Sequence, residues 1–316
     1  MSADDFVPTR DVRRDDLTGT LFAGLGGGPN PGVLVVHGSG GGGGYERHYA
    51  RRLAHHGYTA FCVEYFGGPG RPEGLDRIPL SYFGRAIDWL LDQPEVDAEE
   101  ADRECVGAVG FSRGGEAAML TGAHFDRVGA VVAYSASGYA FPAPTWMPGV
   151  EEEGPAWTHE GEPIPYLPVD ELVEAEQDGF EDVAENEDVD ASSLAVENAT
   201  DEQLRRATIP VERIDGPVLL VSGGDDAIWP SADLAGVAAD RLAERDHPWP
   251  AEHLVYPDAG HAIRIPYLPD AKRKPETSTD PEARHRLGGT TGANARAAAD
   301  AWQSALDCLR QGLGNR

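Results

Sequence analysis

Short apolar runs separated by stretches of helical period set the layout of this chain. Runs rich in Val, Leu, Ile, Phe and Ala occupy residues 32–37, 59–65, 105–111, 128–134, 217–222 and 252–256. Their near-continuous apolar character predicts strands buried on both faces of a sheet. Between them, residues 45–56, 80–91, 114–123, 232–245 and 293–313 read as helices, with apolar positions recurring three and four residues apart. Strand alternating with helix predicts an α/β class, a mainly parallel twisted sheet flanked by helices. The stretch "LTGTLFAGLGGGPNPG" ahead of the first buried run reads as a short antiparallel edge strand and a loose turn.

One segment breaks this rhythm. Over residues 138–210 glycine, proline and acids dominate, and between Val128 and Leu204 there is neither Lys nor Arg. Tyr139, Phe141, Trp146, Trp157 and Tyr166 fall within it, and Val169, Leu172, Val173, Phe180 and Val183 recur loosely at helical intervals. A long insertion in a compact domain is often a lid. The expectation is one domain over residues 1–316, carrying an acidic cap at 138–210; the alternative is a solvated insertion with no part in chemistry.

Composition narrows the picture. No apolar run approaches the ~18 residues of a membrane span, and the polar start "MSADDFVPTRDVRRDD" lacks the apolar core of a signal peptide. Cys62, Cys105 and Cys308 are odd in number and widely spaced, so neither a disulfide framework nor a zinc site is expected, and a cytoplasmic setting is. Asp plus Glu number 54 against 26 Lys plus Arg, a formal net charge of −28, and Lys272 and Lys274 are the only lysines. Acid enrichment with lysine depletion points to a halophilic host, and the lack of a basic stripe excludes nucleic acid as a partner.

The glycine-rich stretch "VVHGSGGGGGYERHYARRL" has two readings. Gly38, Gly40 and Gly43 fit the dinucleotide fingerprint G-x-G-x-x-G, with Glu64 where a ribose-binding carboxylate would sit. The same loop could supply the backbone N–H groups of an oxyanion hole. The motif "CVGAVGFSRGGEAAML" bears on the choice. An apolar strand ends in Gly110-Phe111-Ser112-Arg113-Gly114 and a small-residue helix follows at once, the strand-to-helix turn that exposes a nucleophilic serine. Gly110 and Gly114 leave room for that turn.

A serine hydroxyl needs a base, itself oriented by a third group. Downstream, "PVLLVSGGDDAIWPS" runs from a buried strand into Asp225 and Asp226, and "EHLVYPDAGHAI" leads to His261. The order Ser…Asp…His suits this fold. The spacing G-x-x-D-x-x-x-P over Gly223, Asp226 and Pro230 favours Asp226 as the acid, leaving Asp225 as a turn residue or helix-cap acceptor. The expected oxyanion donors are the backbone N–H of Arg113 and one from Ser39 or Gly40. His37 reads as structural.

On these residues the chain resembles the carboxyl-terminal catalytic domain shared by acyl-CoA thioesterases and bile acid-CoA:amino acid N-acyltransferases, within the dienelactone-hydrolase-like branch of α/β-hydrolases. The resemblance runs from about Gly32 to Leu313 and is carried by "HGSGGGGGYERHYARRL", "VGAVGFSRGGE", "IPVERIDGPVLLVSGGDDAIWPS" and "YPDAGHAIRIPYLP". It implies an α/β-hydrolase fold, with nucleophile, acid and base at Ser112, Asp226 and His261. It also implies a small-molecule acyl thioester or ester substrate, without cofactor or metal. Three departures matter. Only about 30 residues precede the first buried strand, too few for the amino-terminal β-sandwich of the family's animal members. The nucleophile is serine where the acyltransferase branch has cysteine, which favours hydrolysis. Arg113 stands where thioesterase members often carry Lys, and its guanidinium either engages a phosphate or is solvated. A carboxylesterase or dienelactone-type hydrolase is the near alternative; an NAD(P)-dependent oxidoreductase is the remote one.

Overall fold

The computed structural model describes residues 7–26, 28–42, 44–97, 104–169, 191–266 and 287–314. Eight strands form the main sheet: β1 (Thr9–Arg13), β2 (Thr18–Phe22), β3 (Gly32–Val36), β4 (Thr59–Val63), β6 (Val106–Phe111), β7 (Val128–Tyr134), β10 (Val218–Gly223) and β11 (Ala251–Tyr256). Their spatial order is β1-β2-β4-β3-β6-β7-β10-β11. The pairs β1–β2 and β2–β4 are antiparallel, and every other neighbouring pair is parallel. The fold class expected from the strand–helix alternation is therefore present.

Because side chains alternate across a strand, each central strand feeds two cores. In β3, Leu34 and Val36 enter the core on one face, where Phe83, Leu90, Leu120 and Leu242 pack. Val33 and Val35 enter the other, with Tyr49, Leu53, Trp302 and Leu309. Helices α2 (Ser81–Leu91), α3 (Arg113–His124) and α6 (Ser231–Glu244) cover the first face, and α1 (Tyr45–His55) and α7 (Thr291–Leu313) the second. The central strands β3, β4, β6, β7 and β10 are buried along their whole length, whereas β11 at one edge is half open. Cys62, Cys105 and Cys308 are buried thiols that form no disulfide with one another.

Two expectations are corrected here. The edge strand is not "LTGTLF", which is inner strand β2, but the preceding Thr9–Arg13. Its polar sequence hides it, as edge strands carry charge outward. A second, three-stranded sheet, β5 (Ile78–Pro79), β8 (Trp157–His159) and β9 (Glu162–Pro163), lies where no strands were expected. These pieces are too short for their periodicity to register.

The acidic insertion is packed where it is described. Its ends pair with each other: Ala140 N–H donates to Ala207 O at 2.9 Å and Ile209 N–H to Gly138 O at 2.8 Å. Two short helices, α4 (Ala191–Asn198) and α5 (Asp201–Ala207), follow, the second opened by a Thr200–Gln203 capping box. Tyr139, Phe141, Leu167, Ala195 and Ala207 form a separate apolar cluster seated on Trp229 and Leu234 of the main body. The aromatics expected to gather there divide: Trp157 is buried in the main core, while Trp146 is 72% exposed. The helical spacing over Leu172, Val173, Phe180 and Val183 falls outside the described residues; Val169, within them, donates its N–H to Glu153 Oε2 at 2.8 Å.

Candidate active site

Ser112 sits at the junction of β6 and α3 with φ 55° and ψ −124°. A residue bearing Cβ at positive φ costs about 1–3 kcal/mol and persists only where its surroundings fix it. Here Ser112 N–H donates to Tyr134 O at 2.8 Å, and Ser112 O accepts from Gly115 N–H at 2.8 Å and Glu116 N–H at 3.2 Å. The glycines of the motif have a steric cause. A Cβ on Gly110 would lie 2.0 Å from Gly114 O, and one on Gly114 would lie 2.3 Å from His37 O and 2.4 Å from Val36 O. The glycine loop is pressed against the elbow: a Cβ on Gly38 would meet Phe111 O at 2.7 Å and Ser112 Cβ at 3.3 Å.

Asp226 and His261 follow the carboxyl ends of β10 and β11, the sheet edge that also carries Ser112. His261 Nδ1 lies 2.9 Å from Asp226 Oδ2 and 3.1 Å from Oδ1, with both side chains buried. The carboxylate is fixed from below by Ile228 N–H at 3.0 Å and Trp229 N–H at 3.4 Å, both donating to Oδ1. His261 is held through its backbone, its N–H donating to Leu287 O at 2.7 Å and its carbonyl accepting from Ser135 Oγ at 3.2 Å. Ser135 follows Tyr134, whose carbonyl takes the Ser112 N–H, so β7 joins the elbow to the histidine. Asp225 has another partner: its Oδ2 accepts from Gly289 N–H at 2.9 Å, a turn role.

Among the described hydrogen bonds none is donated by the Ser39 or Gly40 amide, and a Cβ on Gly40 would meet nothing within 4 Å. As the first residue of α3, Arg113 has a backbone N–H of the kind a helix leaves without an internal acceptor. The expectations for the Arg113 side chain are overturned. Its guanidinium is neither solvated nor open to a substrate phosphate, because the side chain is only 7% accessible and Nη2 donates to Phe141 O at 2.7 Å and Pro142 O at 3.0 Å.

The dinucleotide reading loses its ribose-binding carboxylate. Glu64 is 3.3 Å from Arg13 Nη1, and its Cγ would lie 2.6 Å from a Cβ on Gly42. Gly43 lies outside the described residues. His37 is structural, as expected. It stacks on Tyr65 with centroids 4.2 Å apart, its Nδ1 is 2.9 Å from Gly38 O, and burial pushes its pKa down to about 4.

Sequence reasoning missed Glu116. This carboxyl is fully buried. Its Oε1 accepts from Trp157 Nε1 at 2.5 Å and Phe141 N–H at 3.3 Å, and its Oε2 is 3.3 Å from Arg113 Nη1. Burial pushes its pKa up to about 7, against the pull of the Arg113 charge. The signal was an acid in the first turn of an otherwise small and apolar helix. Glu46, at the start of α1, is a second buried carboxyl of this kind, and burial raises its pKa too.

A serine on a strained strand-to-helix turn, with a histidine–carboxylate pair at the same edge of a mainly parallel sheet, is the arrangement of an α/β-hydrolase. The sequence places the chain more narrowly: residues 78–315 match the family described as BAAT / Acyl-CoA thioester hydrolase C terminal, and the chain belongs to that family. It is 28% identical over 311 residues to acyl-coenzyme A thioesterase 1 of Homo sapiens, covering 96% of this chain and 65% of that protein. It is likewise 28% identical over 316 residues to the peroxisomal succinyl-coenzyme A thioesterase of Mus musculus, covering 98% and 66%. The chain thus spans slightly less than two thirds of the length of these relatives. Among solved structures, a putative dienelactone hydrolase from Klebsiella pneumoniae subsp. pneumoniae superposes with a TM-score of 0.57 at 19% identity, over 96% of this chain and 99% of that one. A Mycobacterium tuberculosis puromycin-hydrolyzing peptidase gives a TM-score of 0.58 at 16% identity, over 100% of this chain and 41% of that one. These two show the fold. No described helix is long and apolar enough to cross a membrane.

Proposed function

We propose that this chain is a serine hydrolase that cleaves acyl thioesters of the acyl-CoA type. The observation that carries the reading is the His261–Asp226 pair, with Nδ1 committed to a buried carboxylate at 2.9 Å, on the sheet edge that holds the strained Ser112. With Nδ1 so engaged, Nε2 is the nitrogen left to take a proton. Ser112 Oγ attacks the thioester carbonyl while His261 accepts its proton, and Asp226 stabilises the imidazolium. The tetrahedral oxyanion is met by the Arg113 amide and an amide of Ser39 or Gly40, each donor worth about 2.7–4 kcal/mol of barrier. Collapse breaks the carbon–sulfur bond and His261 returns its proton to the leaving thiolate. Water then attacks the acyl-serine, with His261 again as base. The insertion, whose apolar cluster rests on Trp229 beside His261, serves as a cap over the acyl side of the site.

The thioester is favoured over an oxygen ester by the family match and by the thioesterase relatives. A dienelactone-type ester hydrolase is the second reading, and the solved neighbours support only its fold. The test is turnover by wild type and Ser112→Ala in molar KCl, on short-, medium- and long-chain acyl-CoAs, p-nitrophenyl esters and a dienelactone. The expected result is acyl-CoA cleavage by wild type and its loss in the variant. Ester turnover without thioester turnover would move the assignment to the second reading.

A further inference from the structure

We propose that Arg113 and Glu116 form a positioning pair that holds Phe141, and through Phe141 keeps the Ser112 elbow in register with His261 and Asp226. The inference rests on the hydrolase reading above and concerns the Arg113 side chain, as distinct from its backbone amide.

Both backbone groups of Phe141 are gripped from the first turn of α3. Arg113 Nη2 donates to Phe141 O at 2.7 Å and Pro142 O at 3.0 Å, and Glu116 Oε1 accepts from Phe141 N–H at 3.3 Å. The Phe141 ring lies 5.8 Å from the Trp229 ring, and the Trp229 ring lies edge-on to His261 at 6.2 Å. Trp229 is itself fixed, its indole N–H donating to Ser135 O at 2.9 Å and its backbone N–H reaching Asp226 Oδ1 at 3.4 Å. A closed circuit results. One arm runs Ser112, Arg113, Phe141, Trp229 to His261 and Asp226; the other runs Ser112, Tyr134, Ser135 to His261.

The chemistry of the pair fits positioning better than stability. Taking two opposite charges out of water costs several kcal/mol per ion before their attraction repays it, and apolar replacements of such pairs are often neutral or stabilising. The pair is also incompletely satisfied: among the described residues Arg113 Nε and Glu116 Oε2 are buried without a hydrogen-bond partner, Oε2 having only the ion-pair contact with Arg113 Nη1 at 3.3 Å. The side chain of Arg113 is too enclosed to meet a substrate anion. What the guanidinium does supply is a rigid plane in which Nη2 donates to two successive carbonyls while Nη1 lies 3.3 Å from Glu116 Oε2, a fixed arrangement that a flexible ammonium does not hold.

The test compares the double variant Arg113→Met/Glu116→Gln, the single variant Arg113→Lys and Phe141→Leu with wild type. The readouts are the second-order rate of Ser112 modification by a fluorophosphonate, kcat and KM for an acyl-CoA, and the thermal midpoint. The double variant removes both charges together, so its midpoint stays within a few degrees of wild type. Its phosphonylation rate and kcat fall about 10–100-fold, the scale of a misplaced reacting group, while KM changes less than about 2-fold. Arg113→Lys falls between. A double variant that folds and is modified at the wild-type rate would overturn the proposal. If the double variant melts early, Phe141→Leu decides: it keeps the backbone grip, loses the ring contact with Trp229, and a wild-type rate in it overturns the proposal equally. Phosphonylation needs the serine and its base but no thioester. Wild type that is modified yet leaves acyl-CoA intact therefore refutes the substrate assignment alone, and wild type that is not modified refutes both.

Discussion

Asp225 and Asp226 are adjacent in the chain and serve different partners: Asp226 takes the imidazole of His261, and Asp225 takes the backbone N–H of Gly289. Substitution separates these duties. Asp226→Asn keeps the shape but offers an amide where His261 Nδ1–H needs an acceptor, and kcat falls roughly 10³–10⁴-fold. Asp225→Asn still presents an oxygen to Gly289, and kcat stays within a few-fold of wild type. Steady-state kinetics on the two variants check this, and comparable losses in both would remove Asp226 from its assigned role.

The elbow glycines carry a steric prediction. Gly114→Ala drives a methyl into the carbonyls of Val36 and His37, which are backbone and cannot step aside. Overpacking of this kind costs about 1–3 kcal/mol or more, so the melting temperature drops by several degrees. Gly40→Ala meets open space and leaves it unchanged. Calorimetry on both variants is sufficient; equal midpoints for the two would contradict the packing described.

Glu116 gives the protein a pH dependence of defined sign. Its folded pKa is raised to about 7 from the ordinary 4.5, so the native state holds a proton that the unfolded chain releases. The stabilisation this provides is complete below the unfolded pKa and is lost as pH rises through about 7. The groups facing the carboxyl are the Arg113 guanidinium, the Trp157 indole N–H and the Phe141 N–H, with Tyr65 nearby. Glu116→Gln cannot titrate. Denaturant unfolding between about pH 5 and pH 8 should show wild type losing stability relative to the variant as pH rises. Parallel curves would mean that the carboxyl stays ionised throughout.

The net charge of −28 repels itself in dilute buffer. At 1 M salt the Debye length contracts to ~3 Å and that repulsion is screened. The thermal midpoint is expected to climb steadily from about 0.1 M to 1 M KCl and beyond. A flat profile would count against adaptation to a salt-rich cell.

The sequence by itself determined the sheet and the elbow. Buried parallel strands need continuous apolar runs, so β3, β4, β6, β7 and β10 were legible as blocks, and a serine turn this tight tolerates only glycine at positions 110 and 114. The succession Ser112, Asp226, His261 was readable because the first two follow the ends of such strands and the third follows the half-open strand β11. Strands with polar or very short sequences, β1, β5, β8 and β9, left no periodic trace. Tertiary structure alone decided which groups met across the chain. It split Asp225 from Asp226, tied Glu64 to Arg13, and folded the side chain of Arg113 inward onto the carbonyls of Phe141 and Pro142. Local pattern records which residues are apolar and where the backbone bends. The partner of a buried charge is fixed by packing between segments far apart in sequence, and that is set only when the two faces of the sheet are covered.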